Sequence, residues 1–67
     1  MKGKIKVLKD SWGFIRVEGK SDVFFGMRDF VELNDFNRIN LEDELEFELS
    51  INEKGNIARK IKLVKQY

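Results

Sequence analysis

Hydrophobic and polar residues alternate in three separate stretches of the chain, residues 2–9, 44–51 and 57–64. An apolar residue at every second position is typical of a β-strand that is buried on one face. The expected inward-facing sets are Ile5 and Val7; Leu45, Phe47, Leu49 and Ile51; and Ile57, Ile61 and Leu63, with Ala58 on the opposite face of the last strand. The pattern predicts three half-buried strands and argues against an all-helical fold.

Two further strands are expected at residues 12–18 and 22–26, because both stretches are rich in β-branched and aromatic residues. Residues 27–41 show no strand pattern, and we expect a short helical turn near Arg28–Val31 followed by a long loop. Five strands in so short a chain fit a small barrel, which forms a core without a covering helix. We therefore predict an all-β fold, a five-stranded antiparallel OB-fold barrel in which residues 1–67 form a single domain. The SH3-like barrel is the alternative.

The amino-acid composition excludes several kinds of site. The chain has no cysteine and no histidine, so it forms no disulfide and holds no thiolate or imidazole metal centre. No nucleophile–base pair or phosphate-binding loop is apparent, and carboxylate pairs such as Glu42 and Asp43 are expected to be solvated. We predict no enzymatic activity, no cofactor and no metal. Apolar stretches are too short to span a membrane, and no signal peptide is apparent, so we expect a cytoplasmic monomer.

The net charge of +1 conceals an uneven distribution of charge along the chain. Residues 1–20 carry six basic and two acidic side chains, whereas residues 21–53 carry two basic and ten acidic ones. Residues 54–67 carry five basic side chains and no acid. If the two ends of the chain meet in the fold, they form a basic face that the net charge does not reveal.

Six of the eight aromatic residues lie between positions 12 and 36. In the strand 12–18, Ile15 and Val17 are expected to face the core, which places Trp12 and Phe14 on the outer face with Arg16. In the next strand, Val23 and Phe25 are expected to face inward and Phe24 outward. Phe14 and Phe24 then share one exposed face.

Exposed aromatic rings beside basic side chains are suited to binding single-stranded nucleic acid, because bases stack on the rings while cations neutralise phosphates. Trp12, Phe14 and Phe24 are the candidate stacking residues. The candidate backbone-binding residues are Lys4, Lys6, Arg16, Lys60 and Lys62. The alternative is that Trp12 and Phe14 cap an imperfect core.

Four further aromatic residues lie elsewhere in the chain. Phe36 is either a mobile base-stacking residue or an anchor that pins the long loop to the barrel. Phe30 and Phe47 are expected in the core, and Tyr67 at a frayed C-terminus.

Residues 11–15 (SWGFI) and 21–25 (SDVFF) resemble two short motifs of the cold-shock domain family. That family carries Lys-Gly-Phe-Gly-Phe-Ile and Asp-Val-Phe-Val-His on adjacent strands of an OB-fold. Residues 3–6 resemble the start of the family's first strand, and residues 41–49 resemble its fourth strand, with Glu44 in place of a glycine. The resemblance covers nearly the whole chain in order and spacing.

The resemblance implies a module that binds single-stranded RNA or DNA, often as an RNA chaperone or translational regulator. Carried over by position, it implies stacking by Trp12, Phe14, Phe24 and Phe36, and a backbone contact by Lys6.

The sequence departs from the family's motifs at three positions. Val7 replaces an exposed tryptophan, Gly26 replaces the motif's histidine, and Met27 replaces the aromatic residue after it. We therefore expect a shorter or weaker binding site than is typical of the family. The alternative function is a protein-interaction module on a small barrel that has lost part of its nucleic-acid face, with the acidic residues 42–48 suited to a basic partner.

Overall fold

The computed structural model describes residues 1–64, which form a closed five-stranded barrel. Residues 65–67, and with them the expected frayed Tyr67, lie outside the described part. The elements in chain order are β1 (Lys2–Leu8), β2 (Trp12–Arg16), β3 (Val23–Gly26), a 3₁₀ turn (Met27–Asp29), α1 (Leu33–Phe36), β4 (Glu44–Asn52) and β5 (Gly55–Leu63). The predicted five strands and the OB-like barrel are confirmed.

The strand order around the barrel is β1-β2-β3-β5-β4, with β4 pairing back onto β1. Four of the five neighbouring pairs are antiparallel, and β3 pairs with β5 in parallel, with Phe24 opposite Ile57. The prediction of a purely antiparallel barrel was therefore wrong. The reason is geometric: strand direction cannot alternate all the way round a closed ring with an odd number of strands.

Among residues 1–64, eleven buried apolar side chains form the core, contributed by every strand and by the segment between β3 and β4. They are Ile5, Ile15, Val23, Phe25, Phe30, Phe36, Ile39, Leu45, Phe47, Ala58 and Ile61. Phe30 and Phe47 are in the core as predicted. In a chain this small, most of the hydrophobic stabilisation comes from such a set.

Phe36 is a core residue, with only 7% of its surface exposed. Its ring packs edge-on against Phe30, with ring centroids 5.6 Å apart, and lies 6.4 Å from the ring of Phe25. Of the two roles considered for Phe36, the structure shows the anchor. Its inclusion among the base-stacking residues was wrong, because α1 turns this side chain inward and a buried ring cannot receive a base.

The segment between β3 and β4 is more ordered than the sequence pattern indicated. The expected helical turn is present as the 3₁₀ turn, but α1 lies where only loop was expected. This one-turn helix has no side-chain cap at Glu32, so it lacks the usual N-terminal signal. Burial of Phe36 and Ile39, three residues apart, holds it against the barrel.

The inward face of β5 differs from the prediction. Ala58 is fully buried, whereas Ile57 lies on the outer face opposite Phe24. A bulge near Lys60 shifts the register between β4 and β5, so that Ile61 returns to the core. Strict alternation fails here because a bulge inserts one unpaired residue into the strand.

Ile51 also departs from the predicted alternation, with 76% of its surface exposed. It pairs with Asn56 near the end of the β4–β5 hairpin, beyond the packed interior.

Lys60 has a backbone φ of 51°, in the left-handed region that β-branched residues strongly avoid. We expect Lys60→Val to lower the free energy of unfolding by about 1–2 kcal/mol more than Lys62→Val does. Both substitutions remove one exposed lysine from β5, and urea titration of the two variants measures the difference. Equal stabilities would show that the bulge does not constrain residue 60.

Candidate functional site

The hairpin formed by β2 and β3 presents three aromatic side chains on its outer face. Phe14 lies opposite Phe24, and Trp12 lies opposite Gly26. The inward positions of the hairpin are occupied by Ile15, Val23 and Phe25, which are fully buried. The core is therefore filled without Trp12 and Phe24, whose exposed fractions are 37% and 39%, and Phe14 is half-buried between them.

Trp12, Phe14 and Phe24 form a compact triangle, called here the aromatic platform. The ring centroids are 5.8 Å apart for Trp12–Phe14, 5.9 Å for Trp12–Phe24 and 5.7 Å for Phe14–Phe24. Trp12 and Phe24 are nearly parallel, at 25°, and Phe14 meets both edge-on. These contacts fix the rings against one another, so the platform offers apolar faces without an ordering cost at binding.

Aliphatic side chains flank the aromatic platform on both neighbouring strands. Val7 of β1 lies opposite Phe14, and Ile57 of β5 lies opposite Phe24. A bulge between Ile5 and Val7 turns Val7 to the outer face. The position where the family's first strand carries a tryptophan is therefore next to the platform here, but it offers only a small aliphatic side chain.

Gly13 allows the core to pack directly behind the aromatic platform. A Cβ at this position would meet the carbonyl oxygen of Val7 and would lie 2.7 Å from the Phe25 ring. The side chain that the missing Cβ admits is therefore that of a core residue, Phe25. The absence of a side chain lets β2 lie close to Phe25 while Trp12 and Phe14 face outward.

Three of the predicted basic residues lie on the outer surface next to the platform. Lys4 is opposite Arg16 across β1 and β2. Lys6 forms a 3.1 Å ion pair with Asp22, and Arg16 forms a 3.7 Å ion pair with Glu42. All these side chains are exposed, so the pairs contribute little to stability and open readily for a phosphate.

Lys60 is not part of this cluster. It lies on β5, 3.5 Å from Glu48, and lines a separate depression on the β4–β5 side of the barrel. β5 does flank the platform, as the prediction required, but Ile57 is the residue opposite Phe24, and Lys60 lies three residues further along the strand.

A shallow groove continues from the platform toward the β4–β5 turn. It is lined beyond the rings by Met27, Arg28, Asp29 and residues 52–54. The sequence singled out Met27 only as the replacement of an aromatic residue, and it assigned neither Arg28 nor Lys54 to the site. No local pattern marks these positions, because the barrel alone brings the 3₁₀ turn beside the β4–β5 turn.

The described residues contain neither a candidate metal site nor a membrane-spanning helix. Within residues 1–64, no three acidic side chains converge so as to hold a metal ion. Neither helical segment of that range has the length and apolar character required to cross a bilayer.

The sequence was compared with known proteins. The sequence model of the family described as 'Cold-shock' DNA-binding domain matches residues 1–64, nearly the whole chain. Among curated proteins, no sequence matches the chain.

Adding a methyl group at Gly13 should destabilise the barrel. We expect Gly13→Ala to lower the free energy of unfolding by about 1–3 kcal/mol, as overpacking of a core does. The matched control is Gly26→Ala, where the nearest atom to an added Cβ is 3.7 Å away and φ is −124°. Thermal unfolding should show the control close to wild type, and a stable Gly13→Ala variant would contradict the packing described here.

Phe24 and Phe25 are adjacent but should differ sharply in their contribution to stability. Phe25→Ala removes a fully buried ring and should cost about 3–5 kcal/mol. Phe24→Ala removes a partly exposed ring and should cost about 1 kcal/mol, through loss of aromatic contacts. Chemical denaturation of both variants tests this. Unfolding of the Phe24 variant would show that the platform belongs to the core.

Proposed function

The chain belongs to the 'Cold-shock' DNA-binding domain family, and from this membership we propose that it binds short single-stranded nucleic acid on the aromatic platform. The family is a nucleic-acid-binding, non-enzymatic one whose members bind single strands. The observation that carries the proposal is the triangle of Trp12, Phe14 and Phe24, which is exposed although the core beneath it is complete.

The geometry of the platform supports base stacking as the mode of binding. Each ring face that points outward can receive one base, and stacking contributes about 1–3 kcal/mol per base. Because stacking uses the π-face that every base possesses, the platform favours no particular base. Lys4, Lys6 and Arg16 lie beside the rings, where they would neutralise the phosphates of the stacked nucleotides.

We infer that RNA is the cellular ligand and that the protein acts in the cytoplasm, as a monomer, as an RNA chaperone or a regulator of gene expression. Neither catalysis nor a cofactor is part of this proposal. The site is smaller than the full set of aromatic positions that the resemblance implies. Phe36 is buried, and Val7 and Gly26 offer no ring. We therefore expect few nucleotides to be held, and held weakly.

The proposal is tested by following the emission of Trp12, the only tryptophan, as oligo-U or oligo-dT is added at low and high salt. We expect saturable quenching in which the affinity falls as salt rises, because phosphate binding releases counterions. Phe24→Ala should weaken binding by about 5- to 150-fold, the equivalent of about 1–3 kcal/mol.

The matched control is Leu41→Ala, which removes an exposed apolar side chain away from the platform and should leave binding unchanged. If Trp12 shows no response at low salt and high oligonucleotide concentration, the proposal is wrong. The alternative hypothesis, a protein-interaction module, is then favoured, with the exposed acids Glu46 and Glu48 of β4 as its charged surface.

A further inference from the structure

The shallow groove that continues from the aromatic platform is called here the platform groove. A second depression lies beside it, between the 3₁₀ turn and the β4–β5 hairpin. Three cations line it: Arg28 from the 3₁₀ turn, and Arg59 and Lys60 from β5. Val31, Leu49 and Ser50 also line it, together with the acids Asp29 and Glu48. We call this depression the basic groove.

The bulge in β5 explains why two consecutive cations reach the same groove. In a regular strand, neighbouring side chains point to opposite faces, and one of the two would enter the core. Here both Arg59 and Lys60 are exposed, and Lys60 adopts the left-handed φ of 51°. Bulges redirect side chains in this way, and they recur next to functional sites.

The parallel pairing of β3 and β5 brings Arg28 to the same place. Phe24 lies opposite Ile57, and Phe30 bridges Ile61 in the same direction. Between these two contacts, residues 24–30 and 57–61 run side by side in the same direction. Arg28 and Arg59 therefore line one depression although they are distant in sequence.

The two acids of the basic groove already have partners. Asp29 accepts a 3.2 Å hydrogen bond from the backbone N–H of Gly26, and Glu48 lies 3.5 Å from Lys60. Arg28 and Arg59, by contrast, form no ion pair with any residue in the range 1–64. Guanidinium groups match the geometry of phosphate oxygens and bind them in pairs of hydrogen bonds. The basic groove therefore has two guanidinium groups available for a phosphate.

The basic groove and the platform groove adjoin at Arg28 and Asp29, which line both. We propose that the basic groove binds the sugar–phosphate backbone of the same single strand after it leaves the platform, with Arg28 and Arg59 as the phosphate ligands and Lys60 as a supporting cation. This inference rests on the proposed function. The basic groove would add a charged extension to a site that has fewer aromatic residues than the family resemblance implies.

The extension is tested by the dependence of affinity on oligonucleotide length. Oligo-dT from about 4 to about 10 nucleotides spans the range relevant to one OB-fold, and Trp12 emission reports binding. For the wild type, affinity and its salt dependence should both rise beyond the length that covers the platform. The double variant Arg28→Gln with Arg59→Gln should weaken the longest oligonucleotide by about tenfold and lower its salt slope by about 1.4, two phosphates at about 0.7 each.

The control is Lys2→Gln with Arg38→Gln, which removes the same charge from exposed positions outside both grooves. The shortest oligonucleotide should bind the wild type and both double variants equally. Thermal unfolding should confirm that both remain folded, as expected for surface substitutions.

The possible outcomes separate the two proposals. If the arginine variant loses affinity equally at every length, or no more than the control, the charge acts generally and the basic groove is not a ligand site. If Phe24→Ala weakens binding while the arginine variant matches wild type, the platform function holds and the extension is wrong. If the wild type binds no oligonucleotide of any length, both the platform function and the extension are wrong.

Discussion

The parallel pairing of β3 with β5 is the constraint on which the remaining architecture depends. Five strands can close into a ring only if at least one neighbouring pair runs in the same direction, and here that pair is β3 with β5. It sets Ile57 at the edge of the aromatic platform and Arg59 in the same depression as Arg28. Closure also removes free edges from most of the sheet and encloses a core for a chain too short for a second layer.

The platform exists because the core is complete without it. Ile15, Val23 and Phe25 occupy the inward positions of β2 and β3, and Gly13 lets the Phe25 ring approach the β2 backbone. Trp12 and Phe24 are then held on the surface by strand alternation, at the cost of partial exposure. An aromatic surface of this kind is what the proposed stacking requires, and membership of the family implies binding of single-stranded nucleic acid.

Charge is arranged so that the two sides of the barrel differ. Lys4, Lys6 and Arg16 lie beside the aromatic rings, whereas β4 carries Glu46 and Glu48 on its outer face. Such acids would repel a polyanion from the outer face of β4, except where Lys60 pairs with Glu48. The basic groove lies at the border between these surfaces, where Lys60 is paired with Glu48 while Arg28 and Arg59 have no acidic partner within residues 1–64.

The sequence by itself determined the number of strands, their approximate bounds and the outward placement of Trp12, Phe14 and Phe24, because strand alternation is a local property of the backbone. Tertiary structure alone decided the burial of Phe36, the inversion of Ile57 and Ala58, and the separation of Lys60 from the platform. Each of these depends on a bulge, a one-turn helix or a strand neighbour distant in the chain. Such features arise from how segments pack together, and the residues within any one segment do not specify them.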